Sequence, residues 1–309
     1  MVKEKAILVG PIVSEMFWEF FRVVPRVVHS KIKEYRDPDI KYIVFTRLDR
    51  FDMYGKIADI FVPLNIEGDG TKYISECYRL MNLPYEHYQG LVKSFYDQYS
   101  KKYNIIEHII PDVRDKKNYL NKNYYSSNMM RYQYFPREKN KELVDEYLKN
   151  NTKPIVTIAP RYRYKMKRNW PYWQDFYDLL LKSKLINDFN FIICGKIPDY
   201  VADSNLKIHD INDIKIDNES SLIGLTMEVL KRSVLTIGSQ SAIPNISLIL
   251  GTEVLEWGDQ RKYHTMTYNI FKTKVTYLDD STFSIKPEVV ISKLNEILNK
   301  KKGEIRNAE

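Results

Sequence analysis

The sequence predicts an α/β fold of two successive domains, each a parallel sheet with crossover helices, with the division near residue 150. Short apolar runs alternate with segments of helical periodicity, the order that builds a parallel sheet. The rhythm lapses in the middle of the chain and restarts after Asn150-Asn151-Thr152-Lys153-Pro154, a turn-rich stretch read as the linker between domains 1–150 and 151–309. A chain of 309 residues, 44% of them hydrophobic, holds enough apolar side chain for two cores.

The first strand is Ala6-Ile7-Leu8-Val9-Gly10, an apolar run stopped by Gly-Pro. A helix over 15–35 follows, with Phe17, Phe20, Phe21, Val24, Val27, Val28 and Ile32 at helical spacing and Pro25 expected to kink it. Tyr42-Ile43-Val44-Phe45-Thr46 and Ile60-Phe61-Val62-Pro63-Leu64 read as two more strands, and 103–110 as a further one. Residues 70–140, dense in Tyr, Asn and Lys, read as helices mixed with long loops. A polar helix over 138–151 leads into the linker. Beyond it come strands at 155–160, 189–194, 234–238 and 253–257, and helices at 173–185, 221–232 and 242–250. A last helix over 287–301 carries a basic tail expected to fray into solvent. No repeat of 20–50 residues is evident.

Composition excludes several classes. No apolar run reaches the roughly 18 residues that span a bilayer, and the charged Met1-Val2-Lys3-Glu4-Lys5 start shows no secretory cleavage pattern. The expectation is a soluble, cytoplasmic protein. Two cysteines, Cys77 and Cys194, are too few for a disulfide framework or a zinc cluster, and Cys194 reads as a small buried residue. The five histidines lack ligand spacing. A net charge of +8 suits nucleic acid, nucleotide phosphates or an anionic glycan. The Lys, Asn, Ile and Tyr bias of the whole chain accounts for part of that charge without any binding surface.

Ligands of open parallel sheets bind beyond the carboxyl ends of the strands, so the residues after each strand are the candidate sites. Gly238-Ser239-Gln240-Ser241-Ala242 lies between a strand and a helix. Its small residues permit close backbone approach, the helix start offers N–H groups to phosphate oxygens, and two hydroxyls add donors. An ordinary turn with a serine cap is the equal alternative. The spacing fits neither a dinucleotide fingerprint nor a Walker loop. Arg161, Arg163, Lys165, Lys167 and Arg168 place five cations in eight residues after the strand ending at Pro160, a loop suited to clamping a diphosphate. A solvated basic loop is its plainer reading. Asn169 extends this loop, and Gly195 and Lys196 close the strand at 189–194; both groups join the donor-binding set. Glu256 or Asp259 offers acceptors to ribose hydroxyls, or caps a helix. In the first domain Glu15 and Glu19 lie one turn apart, placed either to take a proton from an acceptor hydroxyl or simply to sit favourably at a helix N-terminus.

Taken together, these stretches resemble the GT-B glycosyltransferases, and within them the heptosyltransferase-like family and its phage-encoded, DNA-modifying relatives. In those relatives a strand is followed by Gly-Glu-Phe-Gly-Trp-Glu-Leu; the matching stretch here is Ser14-Glu15-Met16-Phe17-Trp18-Glu19-Phe20, departing at Ser14, Met16 and Phe17. Arg168-Asn169-Trp170-Pro171 and Gly238-Ser239-Gln240-Ser241-Ala242 resemble the donor-domain motifs. The resemblance implies two Rossmann-like domains facing an interdomain cleft, the first on the acceptor side and the second holding a nucleotide-sugar. It implies Glu15 as the base, with Glu19 in reserve, and a diphosphate surrounded by Arg161, Lys167, Arg168, Ser239, Gln240 and Ser241. It also implies an inverting single displacement without metal or cofactor.

The phage relatives imply a hydroxymethylated pyrimidine in DNA as acceptor, and with it the host cytoplasm as location. The positive charge and 24 tyrosines suit such a substrate, with Lys116, Lys117, Lys122 and Arg131 as contacts or as a merely solvated loop. A surface-glycan or lipopolysaccharide-type acceptor is the alternative. A nucleotide-sugar epimerase of the same architecture and a non-catalytic nucleic-acid-binding protein are the competing classes; the second lacks any helix-turn-helix, zinc-finger or RNA-recognition signature.

Overall fold

The computed structural model describes residues 3–12, 19–24, 27, 39–47, 50–64, 85–110, 134, 137–161, 169–195, 208–217, 219–259, 269 and 272–306. The chain divides into two compact units, Met1–Arg137 and Glu138–Glu309.

The first unit is built on strands β1 (Lys5–Val9), β2 (Lys41–Thr46), β3 (Ile60–Pro63) and β4 (Asn104–Ile109), all parallel in the order β3-β2-β1-β4. β1 and β2 are apolar because both faces of these inner strands are covered. Helix α1 (Tyr85–Ser100) lays Phe95 on one face against Ala6, Leu8 and Ile43. The segment expected to be helical from residue 15 is described at 19–24 and 27, where Glu19–Val23 forms a π-helical turn. A π-turn in place of α-helix is a common accompaniment of a functional or tightly constrained position. Pro25 and its expected kink lie outside the described residues.

The second unit repeats the plan at larger size. Its strands are β5 (Ile155–Ala159), β6 (Asn190–Ile193), β7 (His209–Asp210), β8 (Ser233–Ser239), β9 (Val254–Gly258) and β10 (Val275–Asp279), all parallel in the order β10-β9-β8-β5-β6-β7. Counted within the unit, that is the doubly wound order 3-2-1-4-5-6, with the reversal between β5 and β8. Its longer helices are α2 (Glu138–Leu148), α3 (Trp173–Lys182), α4 (Leu222–Arg232), α5 (Ala242–Ile249) and α6 (Pro287–Arg306). One face of the sheet packs on α3 and α6 through Trp170, Trp173, Phe176, Trp257, Val290 and Leu294. Trp170 and Trp257 approach to 4.7 Å between ring centroids, and the Trp170 indole N–H donates to the Ile285 carbonyl at 2.8 Å. The other face packs on α2 and α4 through Val144, Leu148, Leu225 and Val229.

Three expectations need correcting. The polar helix over 138–151 opens the second unit instead of ending the first: its few buried positions, Asn140, Val144 and Leu148, belong to that unit's core, so the division falls before the helix. β7 and β10 were not anticipated. The basic end of α6 does not fray; the helix runs to Arg306, and Lys301 and Lys302 pair with Glu253 at 3.1 Å and Asp188 at 2.7 Å.

Cys194 follows β6 and is fully buried, as its apolar setting predicts. Burial pushes its thiol well above the usual range, and the charge of Asp210 adds to the effect. The thiolate is the reactive form. In a Cys77→Ser background the remaining thiol is therefore expected to react with a disulfide reagent only on unfolding. Rapid labelling of the native protein would contradict this placement.

Candidate functional site

The reversal of strand order in the second unit leaves the chain parting on either side of β5 and β8, and a crevice opens at their carboxyl ends. Four of the sequence-selected stretches contribute to it. β5 ends at Ala159 and delivers Arg161; β8 ends at Ser239 and passes through Gln240 and Ser241 into α5; β6 leads to Gly195; β9 ends at Gly258. Gly195 has φ +140°, and a Cβ on it would lie 2.8 Å from the Pro160 carbonyl oxygen and 3.5 Å from Ile243. The ends of β5 and β6 are thus gathered tightly around the start of α5.

The loop between β8 and α5 is held through its backbone. Gln240 N–H donates to the Trp257 carbonyl at 3.0 Å, and the Gln240 carbonyl accepts from Arg161 Nη1 at 2.7 Å. The Ser241 carbonyl accepts from Asn245 Nδ2 at 2.6 Å. The serine hydroxyls take no part: Ser239 Oγ and Ser241 Oγ are buried and have no hydrogen-bond partner among the described residues. Ser241 occupies the cap position of α5 with φ −152° and ψ −174°, yet its side chain caps nothing. Ser221, at the same position of α4, does cap, accepting from Gly224 N–H at 2.9 Å. The indole N–H of Trp257, paired with Ser239 across the ladder, is likewise buried and unpartnered. Leaving a buried donor unsatisfied costs about 1–3 kcal/mol. The two serine hydroxyls stand beside a helix start, the kind of place that suits an anionic acceptor of hydrogen bonds, whereas the Trp257 indole belongs to the core against Trp170.

Gly238 belongs to the framework of this site, not to its surface. A Cβ there would meet the Ala159 carbonyl oxygen at 2.5 Å, so glycine is required by the close approach of β5 and β8. Glu256 is corrected as a ribose-binding candidate. β9 runs on to Gly258, which puts Glu256 in mid-strand opposite Gly238 and fully buried, whereas Asp259 is the first residue past the strand. Asn169 is half-buried, immediately before the core residue Trp170. Arg163, Lys167, Arg168 and Lys196 lie outside the described residues, as do Lys116, Lys117, Lys122 and Arg131. Among the described residues no group of three or more His, Cys, Asp or Glu gathers as metal ligands, and no helix is long and apolar enough to cross a membrane.

In the first unit the chain leaves β1 through a firmly held turn. Gly10 N–H donates to the Ile109 carbonyl at 2.9 Å, Ile12 N–H to the Phe45 carbonyl at 2.9 Å, and Tyr88 OH to the Pro11 carbonyl at 3.2 Å. The Gly10 carbonyl accepts from His108 Nε2 at 2.8 Å, a bond that fixes the Nε2-protonated tautomer. Burial holds the His108 pKa below its usual value. Glu15, which this turn leads towards, lies outside the described residues. Glu19 does not serve as a reserve base. It is fully buried, accepts from Thr46 Oγ1 at 2.7 Å and Tyr54 OH at 2.8 Å, and pairs with the buried Arg50 at 3.3 Å. A buried carboxylate that takes two hydroxyls on Oε1 and a guanidinium beside Oε2 is an anchor for the π-turn. The residues that sequence reading missed are these partners, Arg50, Thr46 and Tyr54, which no local pattern links to Glu19.

No protein-family model matches the sequence, and no curated protein does. Solved structures do resemble the fold. Heptosyltransferase II of E. coli, described as acting with ADP-heptose on lps, aligns over 96% of this chain and 99% of its own at 12% identity and TM-score 0.55. A glycosyl transferase family 9 protein of Veillonella parvula aligns over 97% and 90% at 9% identity and TM-score 0.52. An E. coli heptosyltransferase solved with ADP aligns over 94% and 99% at 10% identity and TM-score 0.50. The chain therefore has the α/β architecture of these GT-B proteins, with a parallel sheet in each half.

Proposed function

We propose that the chain is a glycosyltransferase that binds the diphosphate of a nucleotide-sugar at the β5–β8 switch point and passes the sugar to an acceptor hydroxyl. The observation that carries the reading is the pair of buried, unpartnered serine hydroxyls at the start of α5. The fold shared with three solved glycosyltransferases supports it. In the proposed reaction the acceptor oxygen attacks the anomeric carbon, and the bond from that carbon to the phosphate oxygen breaks. The acceptor proton passes to Glu15, and the anomeric configuration inverts. Hydroxyl and amide donors of the serine loop bear the charge of the departing nucleoside diphosphate. The mechanism calls for no metal or cofactor.

The acceptor we favour is a hydroxymethylated pyrimidine in DNA, supported by the net charge of +8 and by the resemblance of the Ser14–Phe20 stretch to phage relatives. The fold likeness to an lps heptosyltransferase favours a glycan acceptor instead. Transfer to modified DNA that falls steeply with salt separates the two.

Binding is tested without knowing the sugar. Inorganic pyrophosphate, ADP and UDP are screened by thermal shift, and the cognate nucleotide at a hundred times its Kd is expected to stabilise the second unit by about 2.7 kcal/mol. Ser239→Ala combined with Ser241→Ala is expected to weaken that binding at least about tenfold, given roughly 1.5–3 kcal/mol for a hydrogen bond to a charged group. Unaltered affinity in the double variant would remove the site.

A further inference from the structure

We infer that Arg161 is a positioning residue: it braces the serine loop through the Gln240 carbonyl and acts on diphosphate binding through that loop. The inference rests on the nucleotide reading of the site and changes the role that the basic loop suggests for this residue. Arg161 leaves the end of β5, crosses the line where the strand order reverses, and donates from Nη1 to Gln240 O at 2.7 Å. On the far side Gln240 N–H is bound to the Trp257 carbonyl of β9 at 3.0 Å. Both backbone groups of the residue between the two serines are thereby fixed from opposite directions. One residue on, the Ser241 carbonyl is held by Asn245 at 2.6 Å.

The geometry has a chemical consequence. A strand that has run out of ladder has free carbonyls, and those carbonyls repel a phosphate. Arg161 covers the one at Gln240, so the loop turns donors towards the crevice while its acceptor is occupied. The Nη1 bond ties the guanidinium to the loop's own backbone, which is how a brace sets the loop's shape. The serines flanking Gln240 keep their hydroxyls free of structural work because Arg161, Trp257 and Asn245 do that work instead.

The test is a double-mutant cycle on binding of ADP or UDP, whichever the wild-type chain holds more tightly, with Arg161→Met crossed against Ser239→Ala/Ser241→Ala. A brace acts through the serines. Arg161→Met is then expected to weaken binding about tenfold in the wild-type background and scarcely at all once both hydroxyls are gone. The ionic-strength dependence of binding is expected to be the same with and without Arg161, whereas loss of a direct ion pair would flatten it. Additive losses, or a flattened salt dependence, would overturn the brace while leaving the nucleotide site intact. No binding by the wild-type chain would overturn both. Should Arg161→Met fail to fold, Arg161→Lys carries the same cycle: a loss that vanishes once both hydroxyls are gone supports the brace, and one that persists there, or full affinity in the wild-type background, refutes it.

Discussion

Glu19→Ala is expected to destabilise the first domain by about 3–5 kcal/mol, because it strips the anion from a guanidinium that has no access to water. Glu19 and Arg50 are both buried, and the Thr46 and Tyr54 hydroxyls lose their acceptor at the same time. The denaturant midpoint of that domain, followed by amide exchange in β1 and β2, reads the loss. Replacing the pair together, Glu19→Leu with Arg50→Met, is expected to recover much of it, since a buried ion pair exchanged for apolar side chains of similar size is often neutral. An unchanged midpoint for Glu19→Ala accompanied by loss of turnover would return Glu19 to the catalytic role that the structure takes from it.

Gly238→Ala is the second large effect, and it reaches the site and the framework at once. The new methyl would stand 2.5 Å from the Ala159 carbonyl oxygen and 3.0 Å from the Ala159 Cβ, both on the neighbouring strand. Ala159 and Gly238 are paired in register at the ends of β5 and β8. Only separation of the strand ends relieves the clash, at about 1–3 kcal/mol for an overpacked interior. Ser239 is the next residue along β8, and Arg161 lies two past Ala159. Nucleoside diphosphate affinity is expected to fall by tenfold or more, measured by calorimetry beside the thermal midpoint. If midpoint and affinity both hold, the close approach of these strands is not what defines the crevice.

The inner strands were legible in the sequence because burial on both faces removes polar residues from them; Ala6–Val9 and Val156–Ala159 are all but free of them. β10 was not, because it is an edge strand whose residues are half-exposed and mixed in polarity. β7 is only two residues long and carries no period. α2 was visible as a helix but assigned to the wrong side of the division, since its exposed charges outnumber the three side chains that tie it to the second core. The serine loop was found from its place between strand and helix. Its most informative property, hydroxyls relieved of capping duty, is a matter of geometry. Arg161 shows the limit of pattern reading: a cation in a basic loop suggests an anion, but the partner here is a backbone carbonyl, and every residue has one. Glu19 shows the same limit, since its neutralising partner is set by how a π-turn meets the segment after β2.

The two residues joined by the Arg161–Gln240 bond stand 79 positions apart in the chain. Everything between them, the strands β6, β7 and β8 and helices α3 and α4 among it, has to be threaded before they meet. No shorter piece of the second half contains a rudimentary version of the anion-binding notch; it comes into being with the last central strand docking on the first. Binding of the proposed nucleotide would in that sense report completed folding, and an occupied notch would hold shut the seam at which the sheet otherwise comes apart.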